Sequence, residues 1–125
     1  MARFSRSGTA QGPVVRGFSE RGFAVDGGIY RALLLSPLRA EEWLAPSLEA
    51  LTVAAVEPLL ALEPAPEFLI LGTGPTHRFP PRSLVAALEA RGIGVETMDS
   101  RAAARTWGLL RSEERWIVAA LMPLK

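Results

Sequence analysis

The chain has 125 residues, 49% of them apolar and 22% charged, with fourteen basic and thirteen acidic side chains and a formal net charge of +1. That is the size and balance of one globular domain, which buries roughly two thirds of its unfolded surface. Near-neutrality leaves no bulk electrostatic case for nucleic acid or an anionic membrane, and a chain without cysteine has no disulfides, thiolate metal sites or cysteine nucleophiles.

Residues 1–17 carry Arg3, Arg6 and Arg16 among serines, glycines and Pro13, a composition expected to form a flexible N-terminal arm. No apolar stretch follows its basic residues as in a secretory signal. Residues 18–125 are expected to form a single α/β domain. The apolar runs fall short of the about 20 residues that span a bilayer, so a cytoplasmic location is the default expectation.

Gly22-Phe23-Ala24-Val25 reads as a strand, and Asp26-Gly27-Gly28 as a hairpin turn, because a two-residue turn needs positive φ at its centre. Ile29 to Leu35 is the return strand. It begins with alternation and ends as a continuous apolar run, so its far end is expected to be buried on both faces. Glu41-Glu42-Trp43 fits either a short edge strand or a helical turn. Thr52 fits the start of a helical stretch and Pro58 the start of a second.

Phe68-Leu69-Ile70-Leu71 is a buried strand that breaks into Gly72-Thr73-Gly74-Pro75. Arg82 to Arg91 follows as a helix with Leu84, Val85 and Leu88 on one face and Gly92 as its stop. Ile93 to Met98 is the next strand, parallel to the first across that helix. Asp99 or Ser100 caps a second helix, Arg101 to Leu110, whose apolar face is Ala103, Trp107 and Leu110. Trp116 to Met122 is apolar throughout and is expected to be inserted between earlier strands. These elements predict three layers around a mixed central sheet.

Several residues invite a chemical reading, each with a structural alternative. Gly72-Thr73-Gly74 is part of a phosphate loop, without the further glycine or Gly-Lys-Ser/Thr of a complete one. Its backbone N–H groups near a helix N-terminus suit an anion; otherwise the glycines make the turn. His77, the single histidine, is an acid–base candidate beside that loop or a loop residue without a role, and no companion metal ligands accompany it. Tyr30 reads as a packed ring. Glu113-Glu114 reads as a solvated charge cluster more readily than a carboxylate dyad. Arg101, Arg105, Arg111 and Arg115 suit either a basic rim at the glycine end of the sheet or surface ion pairs.

An ordered set of segments then resembles a known family. It comprises the 68–74 strand and glycines, Gly92-Ile93-Gly94-Val95-Glu96-Thr97-Met98-Asp99, Ala103-Ala104-Arg105-Thr106, Glu113 with Arg115, and Ala119-Ala120-Leu121. The early 22–27 hairpin, Tyr30, Trp43 and Leu51-Thr52 resemble it too. This is the family of mitochondrial respiratory complex I assembly factor 3 and its small bacterial and archaeal homologues of unassigned function. The resemblance implies a three-layer α/β domain with a mixed five-stranded sheet whose last strand is antiparallel to its neighbours. It implies no established enzyme activity, and no cofactor is expected. It points to a protein partner such as a respiratory-complex subunit, and it is compatible with peripheral association with a membrane. Arg105 and Thr106 match the family's helix motif, while Trp107 and Gly108 stand where tyrosine and asparagine are usual. The expected reading is an assembly or interaction protein. The alternative is a small-molecule or anion binder, or an enzyme, using Gly72, Thr73, Gly74 and His77 with Arg105, Glu113 and Arg115.

Overall fold

The computed structural model describes residues 12–125. The first three strands, β1 (Gly17–Ser19), β2 (Gly22–Val25) and β3 (Gly28–Tyr30), form an antiparallel meander. Val25 faces Gly28 across a two-residue turn in which Asp26 and Gly27 have φ of 48° and 86°. These are the positive values that the Asp-Gly pair foreshadows.

The expected return strand is in fact two strands. β3 stays in the meander, and β4 (Leu33–Leu35) enters a second sheet after a break at Arg31-Ala32. The cause is visible in the side chains. Ile29 faces solvent, as an edge of a two-layer sheet allows, whereas Leu33, Leu34 and Leu35 are all buried and need cover on both faces. Gly22 closes the meander at this break. A Cβ there would lie 2.0 Å from the carbonyl oxygen of Tyr30, so only glycine admits the approach.

The second sheet contains β4, β5 (Ala40–Glu42), β6 (Phe68–Gly72), β7 (Gly94–Met98) and β8 (Val118–Leu121), in the order β5-β4-β8-β6-β7. The segment around Glu41 is thus an edge strand. β6 and β7 run parallel, joined by helix α2 (Arg82–Ala90). β8 lies in the centre, as its continuous apolar character requires. The family resemblance implies a β8 antiparallel to its neighbours; it is antiparallel to β4 but parallel to β6. Helix α3 (Ser100–Ser112) returns from β7 to β8, so β8 starts from the same end as β6.

Period-two alternation in the sheet serves two cores. Leu34, Leu69, Leu71, Val118 and Ala120 point to one face, packed with α2, the short helix α1 (Glu57–Leu60) and the preceding 3-10 turns. Leu33, Leu35, Ile70, Ala119 and Leu121 point to the other, packed with α3 and the meander. On the first face Trp43 is buried and its Nε1–H donates to Ala55 O at 3.0 Å. Thr52 begins a 3-10 turn, though its side chain makes no capping bond, and Pro58 sits in the first turn of α1.

Both long helices end in the same way. Gly92 has φ 79°; its N–H bonds Glu89 O and the next N–H, of Ile93, bonds Leu88 O, closing a Schellman motif after α2. After α3 the left-handed position is held by Glu114 at φ 62°, with Arg115 N–H reaching Leu110 O at 3.0 Å.

Part of the arm expected over residues 1–17 belongs to this packing. Val14 and Val15 rest on the second core, Arg16 N–H donates to Ala24 O, and the indole N–H of Trp107 donates to Pro13 O at 2.8 Å. Residues 1–11 lie outside the described residues. Trp107 is fully buried and ties the segment around Pro13 to α3.

Candidate functional site

The glycine stretch lies where β6 leaves the sheet, at the carboxyl end of the parallel pair, which is the usual ligand-binding end of an open α/β sheet. Its backbone groups are, however, turned inward. Thr73 N–H donates to Met98 O at 2.8 Å. Gly74 N–H donates to Ser100 Oγ at 2.9 Å, and that hydroxyl donates in turn to Met122 O at 2.8 Å. Ser100 N–H bonds Gly74 O, and Met122 N–H bonds Gly72 O. Pro75 has no N–H to offer. The amides an anion would need are thus engaged within the protein.

The glycines serve this closure. A Cβ on Gly72 would stand 2.9 Å from both Cα and Oγ of Ser100, so β6 and the first turn of α3 meet backbone to backbone. Gly74 has φ 111°. Thr73 is buried; its hydroxyl donates to Thr76 O at 2.8 Å and accepts from Arg78 N–H at 3.0 Å, folding the loop back on itself. Ser100, weighed from sequence only as a helix cap, is completely buried and joins β6, α3 and the segment after β8. The cap itself is Asp99, whose Oδ1 accepts from Ala102 N–H at 2.8 Å.

The remaining candidate residues separate in space. His77 is exposed beside the loop, 3.0 Å from Thr97 Oγ1 and 4.9 Å between ring centroids from Phe79. Arg105 is exposed partway along α3. Glu113 and Arg115 lie past the far end of that helix, which rises about 20 Å over its length. There Arg115 pairs with Glu67 at 2.8 Å and covers the ring of Phe68, at the amino end of β6. The guanidinium bond holds the Glu67 carboxyl below the usual glutamate range and raises Arg115 in return. Arg111 is buried there too, donates to Arg115 O, and is pushed down by that burial. Arg111 and Arg115 therefore cannot belong to a rim at the glycine end, because α3 carries them away from it.

A different set of cations does gather at that end. Arg31, Arg78 and Lys125 line a cleft of ≈ 350 Å³ beside Thr73, Gly74 and Pro75. Arg78 is paired with Glu49, whose carboxyl is held down by a backbone hydrogen bond and then by the Arg78 charge. Arg31 comes from the break between sheets, Arg78 from the loop before α2 and Lys125 from beyond β8. Sequence reading missed the cluster because no spacing relates these positions; only the strand order does.

Fold and site together define a three-layer α/β domain with β8 at the centre of its sheet and a sealed glycine turn beside a basic cleft. The chain belongs to the family described as "protein of unknown function (DUF498/DUF598)", whose model matches residues 15–122. Among relatives, it is 33% identical over 113 residues to the zebrafish (Danio rerio) NADH dehydrogenase [ubiquinone] 1 alpha subcomplex assembly factor 3, covering 90% of this chain and 65% of that protein. The Bos taurus protein of the same name is 35% identical over 108 residues, covering 85% and 58%. The chain thus spans less than two thirds of the length of these relatives. Among solved structures, a Bordetella parapertussis protein superposes with a TM-score of 0.79 at 30% identity, over 89% of this chain and 95% of that one. A Xanthomonas campestris protein gives 0.76 at 36% identity, over 90% and 85%. A Bordetella pertussis protein described as an Mth938-like domain gives 0.77 at 28%, over 93% and 88%.

Proposed function

We propose that this protein is a non-enzymatic assembly or interaction protein that assists the building of respiratory complex I by engaging one of its subunits. The supporting observation is the 33% identity to an NADH dehydrogenase assembly factor across 90% of the chain. The geometry of the glycine turn favours this reading over the ligand-binding alternative, since the turn's N–H groups donate to Met98 O and Ser100 Oγ rather than outward. No helix among the described residues is long and apolar enough to cross a membrane. Action from the cytoplasmic side on a membrane-bound client is a separate part of the proposal. Deleting the gene in its host and following complex I by native gel tests it. Assembled complex should fall, with subassemblies accumulating, and return when the gene is restored. Unchanged complex I in the deletion strain would overturn the proposal.

A further inference from the structure

The cleft beside Gly74 is one part of a longer depression. It shares Arg31, Pro123 and Lys125 with a neighbouring cleft of ≈ 590 Å³, which shares Glu20, Leu124 and Lys125 with a third of ≈ 230 Å³ next to Phe18. The three form one trough across the carboxyl end of the sheet, passing from the loop before α2, over the segment after β8, to the β1–β2 turn.

Five of the twelve basic residues among those described line this trough, namely Arg21, Arg31, Arg78, Arg101 and Lys125. Only two of the thirteen acids do, Glu20 and Glu49, and Glu49 is already paired with Arg78. By side chains alone the trough thus carries a surplus of three positive charges. Arg31 and Lys125 have no acidic partner among the described residues. Apolar surface lies between the charges: Phe18, 38% exposed and covered by Arg101 at 5.7 Å, and the side chains of Pro123 and Pro46.

We infer that this trough binds an acidic, extended segment of a partner protein, its carboxylates meeting Arg31, Lys125 and the flanking arginines. Charge complementarity selects the sign of the partner. Shape selects the class. The clefts are open and strung end to end, whereas a small ligand needs a concave pocket that buries most of its surface. The sealed amides of Thr73 and Gly74 leave recognition to guanidinium and ammonium groups, which suit carboxylates presented along a chain. The inference rests on the assembly reading and gives it a docking surface.

The probe is a fluorescein-labelled ten-residue poly-glutamate peptide, titrated by anisotropy into the full chain at low salt. Binding is expected, weakening as salt rises. The R31S/K125S double variant should lose about threefold per cation, about tenfold together. The R39S/R91S variant, which removes cations on other faces, should bind like wild type, and thermal melts should show both variants folded. Equal binding by R31S/K125S, or no binding by wild type, overturns the inference. So does equal affinity for a ten-residue oligothymidylate, which would make the trough a nucleic-acid groove, or displacement by low-millimolar inorganic phosphate, which would make it a small-anion site. The assembly reading is scored separately, by complex I in the deletion strain: R31S/K125S that loses the peptide yet restores complex I refutes the docking surface alone.

Discussion

Replacing Ser100 by alanine isolates the contact on which the glycine turn depends. The hydroxyl is completely buried, accepts from Gly74 N–H at 2.9 Å and donates to Met122 O at 2.8 Å. In S100A both partners remain buried and lose a hydrogen bond. An orphaned buried donor costs about 1–3 kcal/mol, and the carbonyl adds about 1 kcal/mol, so the expected loss is about 2–4 kcal/mol. Domains of this kind have about 5–15 kcal/mol in total. With each kcal/mol worth about 3–5 °C at this size, the melting midpoint should fall by about 10 °C. Urea unfolding followed by circular dichroism gives the free energy, and amide exchange at Gly74 shows where it is lost. That amide should exchange faster in S100A than expected from the global change. An exposed control, S83A on α2, should stay within about 0.5 kcal/mol of wild type. A loss below about 0.5 kcal/mol for S100A, with Gly74 still protected, would refute the claim that this hydroxyl holds the turn.

Other substitutions probe the same construction. G72A should cost about 2–3 kcal/mol in urea unfolding, because its Cβ would press on the Ser100 backbone at 2.9 Å, which cannot rotate away. W107F should cost about 2–3 kcal/mol through the lost indole bond to Pro13 O and the void left behind, and limited proteolysis should then cut near residues 12–16 sooner than in wild type. Glu67 has its folded-state pKa lowered by Arg115, so its contribution is present above its ordinary value of 4.5 and lost as pH falls through the lower folded value. Urea midpoints measured from about pH 6 to about pH 3 should therefore fall less steeply for E67Q than for wild type, and molar salt should shrink the difference because the pair is exposed. Parallel curves at low salt would dismiss that pair as a source of acid sensitivity.

Much of this architecture was legible because it rests on local pattern. Asp26-Gly27 announces its turn, Gly92 its helix stop, and the apolar run before Met122 its central strand. What could not be read is what depends on strand order. The run from Ile29 to Leu35 changes sheets without a proline or glycine to mark the change. Its shift from alternation to continuous leucine was the available signal, and it reads equally as one strand moving toward the core. The site fared likewise. Gly72, Thr73 and Gly74 were found from the abrupt end of an apolar run, yet whether their amides face outward depends on Ser100 and Met98, some 25 residues away. Arg101, Arg105, Arg111 and Arg115 look equivalent along the chain, but helix length sets Arg101 at one end of α3, Arg105 partway along it, and Arg111 and Arg115 at the other end. Arg31 and Lys125 had no pattern to share, because antiparallel pairing of β4 with β8 is what brings their neighbourhoods together.

The central position of β8 has a consequence for synthesis. Leu33 pairs with Leu121 and Gly72 with Leu121's other edge, so one late strand is the seam between β5-β4 and β6-β7. Until residue 121 is available, the two halves have no hydrogen-bonded neighbour in common, and both expose apolar edges made up largely of leucine and isoleucine. Ribosomal synthesis proceeds at roughly 5–20 residues per second. Synthesis of the stretch between the end of β7 and the end of β8 therefore takes about 1–5 s, during which the strand that joins β4 to β6 is still missing.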